Sequence, residues 1–430
     1  MLPVPPTPVN AINLSPIEVV AHLRHLPGLV FFDSARESGD AISIVSANPS
    51  EIVEGNMERD WMVLRDKIAA RQGRNCPGHG MPDGFAAGTV DYDGTFRFGF
   101  YDSLLLFRHS DKSWHTVGHL PSQFCAPVLP APRPEPLRFI PQMATADYCR
   151  MIRCAKEYIA AGDIYQVNLS YQFMTEWSGD PLGFYAGIRH YSPAPYAAYL
   201  GLGGRAVLSS SPESFLKMSS RWIRTRPIKG TRPRHPEARD DEKSANDLVT
   251  SQKEAAELVM ITDLERNDLG QICEYGSVSV RELLKLERYE QVFHLVSTVE
   301  GRLRAEVDHV TALRACFPGG SITGAPKKRA MEIIAELEPV PRGLYTGAIG
   351  WFGFNGESQF NIAIRTVILE DNRAHFHVGA GIVADSVPEM EYEETLHKAR
   401  GILLAAGRFN EPRIPFDRLR TGGKAAKGKY

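Results

Sequence analysis

Between Thr145 and Ala406 strand patterns come in blocks, separated by single long helices, and this grouping limits the fold more than any other feature. Helical periodicity runs over Thr145–Ala161, Ser251–Leu269, Ala325–Leu337 and Glu391–Ala406. Strand patterns fall at about 165–172, 196–201, 206–210, 222–228, 345–353, 359–369 and 374–383, the last three alternating in period two. A doubly wound parallel sheet needs a crossover helix after nearly every strand. Strand blocks joined by short turns instead predict an α+β fold with antiparallel sheets.

The N-terminal part adds to the same pattern. Ser15 can cap a helix that starts at Pro16, with Glu18 completing a capping box, and the helix should reach about Leu26. A strand follows at Leu29–Phe32, then a helix over Asp60–Arg71, then two strands within Gly88–Leu106 that turn at Asp93 and Gly94. Residues 126–136 hold five prolines and read as an extended connector. Arg232–Lys243 is highly charged with two prolines and reads as a surface loop, and Phe409–Tyr430 reads as a disordered tail. The expected division is an N-terminal region 1–125, the connector, a main domain 140–408 and the tail.

Charge and cysteine usage exclude several classes. The 430 residues carry 49 Lys+Arg against 51 Asp+Glu, which removes the electrostatic footprint of a general polyanion binder. Six cysteines stand apart with no Cys-x-x-Cys pair, as reduced thiols of a cytoplasmic protein would. The first residues have no basic-then-apolar leader, and no window approaches 18 apolar residues, so neither export nor a membrane span is expected. Gly201–Ala206 matches a dinucleotide fingerprint only superficially, because a strand pattern and not a helix follows it. Gly319–Lys327 is not a phosphate loop, since its lysine falls too late and no Ser or Thr follows.

Four acids stand out. Glu254 and Glu257, and again Glu391 and Glu394, are three residues apart on one helix face. Such pairs are usually solvated, but Glu254 and Glu257 lie in an apolar helix, where a carboxylate needs a cationic partner. Lys398 follows Glu394 by one turn, as either a helix salt bridge or a cation aimed at an anion. Gly379, Ala380 and Gly381 end a strand and mark either a β-bulge or a close approach of backbone to a ligand. Arg365 reads as mid-strand among apolar residues, where it wants a carboxylate or phosphate. Lys229 lies enclosed between Pro227, Ile228 and Gly230, a setting in which lysine can act as a nucleophile.

Taken in order, the segments Gly162–Ser170, Ser211–Glu213, Pro227–Thr231, Glu257–Asp268, His294–Ser297, Phe317–Lys327, Tyr345–Gly350, Ala363–Thr366 and Gly379–Ser386 resemble the chorismate-utilising enzyme family. They span about 160 to 400 in the family's order. The resemblance implies an α/β/β/α sandwich of two roughly orthogonal antiparallel sheets, with residues 1–125 contributing to it. Within the family the branch most resembled is aminodeoxychorismate synthase component I, because Lys229 stands where anthranilate-forming relatives usually carry Ala. Gln166 stands where the water-adding isochorismate and salicylate synthases carry Lys. Phe32–Ala35 departs from the Leu-Glu-Ser pattern linked to tryptophan feedback.

The resemblance also implies site roles. Glu257 and Glu394 would bind Mg²⁺, with Glu254 and Glu391 holding its waters. Arg365, Tyr345 and the backbone of Gly379, Ala380 and Gly381 would hold the enolpyruvyl carboxylate of chorismate, with Lys398 nearby. Gly230, Thr231, Gln166 and Thr323 would line the ring. Lys229 would form a covalent adduct, with Glu213 as first choice of acid and His294 as second or as a merely positioning residue. Ammonia would come from a glutamine amidotransferase subunit, component II, since no glutaminase nucleophile motif is present. The product, 4-amino-4-deoxychorismate, leads to 4-aminobenzoate and folate. Anthranilate synthase component I and a catalytically silent chorismate-binding regulatory subunit are the competing readings.

Overall fold

The computed structural model describes residues 7–8, 12–34, 41–72, 81–120, 136–289 and 292–407. The proline-rich connector, apart from Pro136, and the tail expected after Phe409 lie outside the described residues. Among the described residues two sheets form, of twelve and ten strands, with antiparallel pairing throughout. The first sheet runs from Ser113–Val117 through Val30–Asp33, Tyr196–Leu202, Arg205–Ser211, Thr366–Glu370 and Arg373–Ile382 to Gln166–Glu176. The second runs from Ile228–Pro233 through Val292–Arg302, Ser214–Ser219, Glu357–Ile362 and Ala348–Gly353 to Phe85–Val90 and Glu51–Asn56.

Alternation along the strands sorts the apolar side chains into three layers. Val30, Ile44, Leu104 and Leu106 of the first sheet meet Phe85, Ala87, Ile349 and Trp351 of the second, so this core lies between the sheets. Phe31, Val45 and Leu105 point the other way, into a core shared with the helices Pro16–Leu23, Thr145–Ala161 and Pro388–Ala405. Phe96, Phe98 and Phe100 join Leu269, Val310 and Leu313 on the outer face of the second sheet. Three apolar layers require four layers of structure, helix–sheet–sheet–helix, as expected.

Local signals placed several elements closely. Ser15 and Glu18 form the capping box ahead of Pro16, and Glu18 accepts from the Ser15 N–H at 2.8 Å. The helix Thr145–Ala161 stops at Gly162, which takes φ 84°. Two expectations fail. Arg232–Lys243 is not all loop, because the helix Ala238–Val249 begins within it, burying only Ser244, Ala245 and Leu248. The span 359–369 is two strands that belong to different sheets, Glu357–Ile362 and Thr366–Glu370.

That break relocates Arg365. It is not mid-strand but at the crossing between sheets, with φ 49°. A second crossing lies alongside, where Arg205–Ser211 of the first sheet passes through Pro212 and Glu213 into Ser214–Ser219 of the second. The two crossings are stitched together. Ser210 N–H donates to Arg365 O at 3.0 Å, Ile362 N–H to Glu213 O at 3.2 Å, and Ser211 Oγ to Ile362 O at 2.6 Å. Chains that switch sheets make such corners.

A buried ion pair ties the neighbouring segments. The side chains of Arg342 and Glu338 are 1% and 4% exposed and meet at 2.7 Å. Arg342 also donates to Asn168 O, Ile322 O and Thr346 Oγ1, and Glu338 accepts from the Ser170 N–H and hydroxyl. Arg342→Met should therefore lower stability by about 3–5 kcal/mol, the range for breaking a buried pair on one side. Chemical denaturation checks this, and a loss below about 1 kcal/mol would contradict it.

Candidate functional site

The site forms where an edge of each sheet comes together. Ile228–Pro233 is the edge strand of the second sheet, and Gln166–Glu176 lies next to the edge of the first. Gly230 makes a bulge there, since Lys229 pairs with Leu295 and Thr231 with His294. Its φ of 72° and the 2.6 Å separation of a would-be Cβ from Leu248 exclude a side chain. A bulge re-aims the residues beside it. Lys229 Nζ reaches the carbonyl of Ser321 at 3.4 Å and lies 3.7 Å from where a Cβ on Gly381 would be. Thr231 Oγ1 bonds Nδ1 of the buried His294 at 3.0 Å.

Opposite, Arg373–Ile382 pairs with Gln166–Glu176 without a break in register, so Gly379 and Gly381 mark no bulge. They serve close approach. A Cβ at 381 would sit 2.6 Å from Gln166 Nε2, and one at 379 would sit 2.5 Å from Leu169 O and 2.9 Å from Tyr345 Oη. Tyr345 is buried and stacks on His377 at 5.3 Å. Burial pushes the Tyr345 phenol up and the His377 imidazole down to about 3, so both are neutral at pH 7. Thr323 is fully buried and turned to Gly319 O at 3.0 Å.

The helices Gln252–Gly270 and Pro388–Ala405 bring the acids to this edge. Burial pushes the Glu257 carboxyl up, helped by the charges of Glu254 and Glu394 and opposed by Lys229 and Lys253. Glu394 goes the other way. Lys398, bonded at 2.8 Å, holds it down against the effect of burial. Glu394 and Lys398 keep 50% and 39% of their side-chain exposure, so both remain open to solvent. Lys398 also donates to Gly379 O at 2.9 Å. Glu213 is buried, and desolvation raises its carboxyl despite Ser321, Lys229 and the Ile228 N–H.

The acids do not all converge. Glu254 turns to Arg232 at 3.4 Å, and Glu391 accepts from Ser386 Oγ at 2.7 Å and from Lys253 at 3.2 Å. Among the described residues no three carboxylate, imidazole or thiol groups form a ready metal-ligand set. Two hollows of about 410 and 540 Å³ flank the Gly201–Gly204 turn, and none of these site residues lines them.

Several participants escaped the sequence reading. Lys253 bridges the two acidic helices. Ser321 touches Lys229 through its carbonyl and Glu213 through its hydroxyl. Behind them Glu265 and Asp268 are buried, with Lys327 bonded to Asp268 at 2.5 Å and Gly320 N–H to Glu265 at 3.1 Å. Ser321, Glu265, Asp268 and Lys327 stood inside the motif segments, whereas Lys253 lies just before one, and no local pattern sets these residues apart.

The profile described as chorismate binding enzyme matches residues 41–404. The chain belongs to the chorismate binding enzyme family. It is 47% identical over 267 residues to anthranilate synthase component 1 of Streptomyces coelicolor, covering 62% of this chain and 52% of that protein. It is 48% identical over 252 residues to aminodeoxychorismate synthase component 1 of Bacillus subtilis, covering 59% and 54%. The matched stretch thus spans about half the length of these curated relatives. The crystal structure of anthranilate synthase component I from Streptococcus pneumoniae superposes with a TM-score of 0.75 at 31% identity, covering 85% of this chain and 93% of that one. No helix among the described residues is long and apolar enough to cross a membrane.

The cluster behind the site yields a pH test. Desolvation, then the Asp268 charge, pushes Glu265 up to about 7 against the pull of Lys327. A carboxyl raised in the folded state favours folding most below its unfolded value, and that contribution is lost as pH rises from about 4.5 through 7. Glu265→Gln removes this titration. Its stability relative to the parent protein should therefore be higher at pH 8 than at pH 5, measured by denaturation at both. A difference that is constant with pH would contradict the assignment.

Proposed function

We propose that this chain acts as aminodeoxychorismate synthase component I, converting chorismate and ammonia to 4-amino-4-deoxychorismate and water. The observation that carries the reading is Lys229. It stands at the meeting of the sheet edges, beside Ser321 O and the Gly381 backbone, and its charge acts on Glu213, Glu257 and Glu394. Anthranilate-type relatives usually lack this amine. Chorismate is a dicarboxylate, and Lys229, Arg365 and Lys398 supply the positive charge that the near-neutral total hides.

In the proposed sequence the Lys229 amine bonds to ring C2, both ring double bonds shift around the ring toward C4, and the C4 hydroxyl leaves as water. Glu213, whose raised carboxyl retains a proton more readily than an exposed one, donates the proton. Ammonia then bonds to C4 and the C2–Nζ bond breaks, restoring Lys229 and retaining the enolpyruvyl group. Tyr345 and the Gly379–Gly381 backbone, kept free of side chains, would hold the enolpyruvyl carboxylate, and Gln166, Gly230 and Thr231 would line the ring. His294, bonded to Thr231, positions that wall. Mg²⁺ on Glu257 and Glu394, with Glu254 and Glu391 holding its waters, would supply positive charge for the ring carboxylate. The donors fit, being hard oxygens from two helices whose mutual repulsion at Glu257 a dication relieves.

The component 1 names of the relatives support a partner subunit, and in this reading it is a glutamine amidotransferase that supplies the ammonia. The free thiols of Cys149, Cys154, Cys273 and Cys316 suit a cytoplasmic setting. The equal likeness to anthranilate synthase keeps that activity as the second reading.

Incubation with chorismate, Mg²⁺ and ammonium should give 4-amino-4-deoxychorismate by mass spectrometry and no pyruvate. Anthranilate with pyruvate would establish the second reading. Lys229→Ala should abolish amination while chorismate still binds, and unchanged turnover would remove Lys229 from the nucleophile's role. Glu257→Gln and Glu394→Gln should each weaken Mg²⁺ binding in calorimetry. A parent-like titration would overturn the metal assignment.

A further inference from the structure

We propose that Lys253 is a resident counter-ion of the acidic cleft, and that a divalent cation binds there in competition with its ammonium. The inference rests on the Mg²⁺ reading above but concerns a residue to which that reading gives no role. Lys253 lies one helical turn before Glu257, 4.0 Å from its Oε1, and reaches across to Glu391 Oε1 on the facing helix at 3.2 Å. One cation thus contacts two of the four acids proposed to serve the metal, one on each helix.

The other lysines of the region are built in differently. Lys398 is anchored by a backbone carbonyl as well as by Glu394, and Lys327 by Cys316 O as well as by Asp268. The two ion-pair contacts of Lys253 are both to carboxylates, and its side chain remains 47% exposed. A long stem with a solvent-facing head can swing away without leaving a buried donor unsatisfied. Its positive charge also opposes a dication placed among the same carboxylates. Lys253 therefore joins the two helices and sets how much cation is needed to displace it from the acids.

The test is direct binding of Mg²⁺ by calorimetry and of Mn²⁺ by electron paramagnetic resonance, with and without chorismate. Lys253→Met should bind both ions more tightly, on the order of tenfold at low ionic strength and less at high salt. Lys253→Arg, which keeps the charge, should stay near the parent. The metal-free Met variant should also melt lower and gain more in Tm from saturating Mg²⁺. If Lys253→Met does not fold, Lys253→Gln carries the same expectation. Parent protein that binds the ions while the neutral variants bind equally or more weakly overturns this proposal alone. Parent protein that binds neither ion overturns the metal reading and this proposal with it.

Discussion

The pair formed by Arg342 and Glu338 joins three segments of the site through one buried ion pair. Charges taken out of water are expensive unless every remaining donor and acceptor is met. Here they are met by the chain itself, because Arg342 donates to Asn168 O, Ile322 O and Thr346 Oγ1 while Glu338 receives Ser170. Those acceptors belong to the strand bearing Gln166, to the turn bearing Ser321 and Thr323, and to the segment bearing Tyr345. The pair thus sets three walls of the cleft at once. Its contacts to Asn168 O, Ile322 O and the Ser170 N–H are to the main chain, so there it fixes where side chains begin and leaves their identity free.

Within those walls, position rather than residue type decides how each carboxyl behaves. Glu213, Glu257 and Glu394 all feel Lys229. Glu394 has Lys398 one turn away and is held ionised. Glu213 is sealed from water, and desolvation outweighs its partners. The result is one acid suited to giving a proton and one carboxylate suited to staying charged. Separating the protonation of like groups by environment is how acid and base roles are assigned in one site. It also explains why a net charge of −2 says so little about the ligand.

The fold class was legible because it rests on local signals, such as the Ser15 capping box and the left-handed Gly162, and on grouped strands. The site was legible as motifs, and the placements of Lys229, Glu213, Gly379 and Gly381 follow the order in which those motifs occur. Tertiary effects were not legible. Residues 359–369 read as one alternating strand because both sheets bury apolar side chains here, and only pairing shows the change of sheet at Arg365. The helix Ala238–Val249 buries so few side chains that its charges dominate the pattern. Lys253, Glu265 and Lys327 read as ordinary charged helix residues, since Glu391, Gly320 and Asp268, which they meet, lie on other elements.

The paired crossings at Glu213 and Arg365 bear on how one fold can serve different reactions. Each crossing is hydrogen-bonded to the other, so neither can shift unless both sheets shift with it. Function-bearing residues at the corner are therefore held by the whole sandwich. Lys229 is different. It sits on an edge strand beside a glycine bulge, where a change of side chain disturbs no pairing and no crossing. A lysine or an alanine can occupy that place with the corner, the glycine floor and the acidic helices unchanged. The scaffold is thus one that relatives of either name can share, and over the matched stretches the chain is 47% identical to an anthranilate synthase component and 48% to an aminodeoxychorismate synthase component.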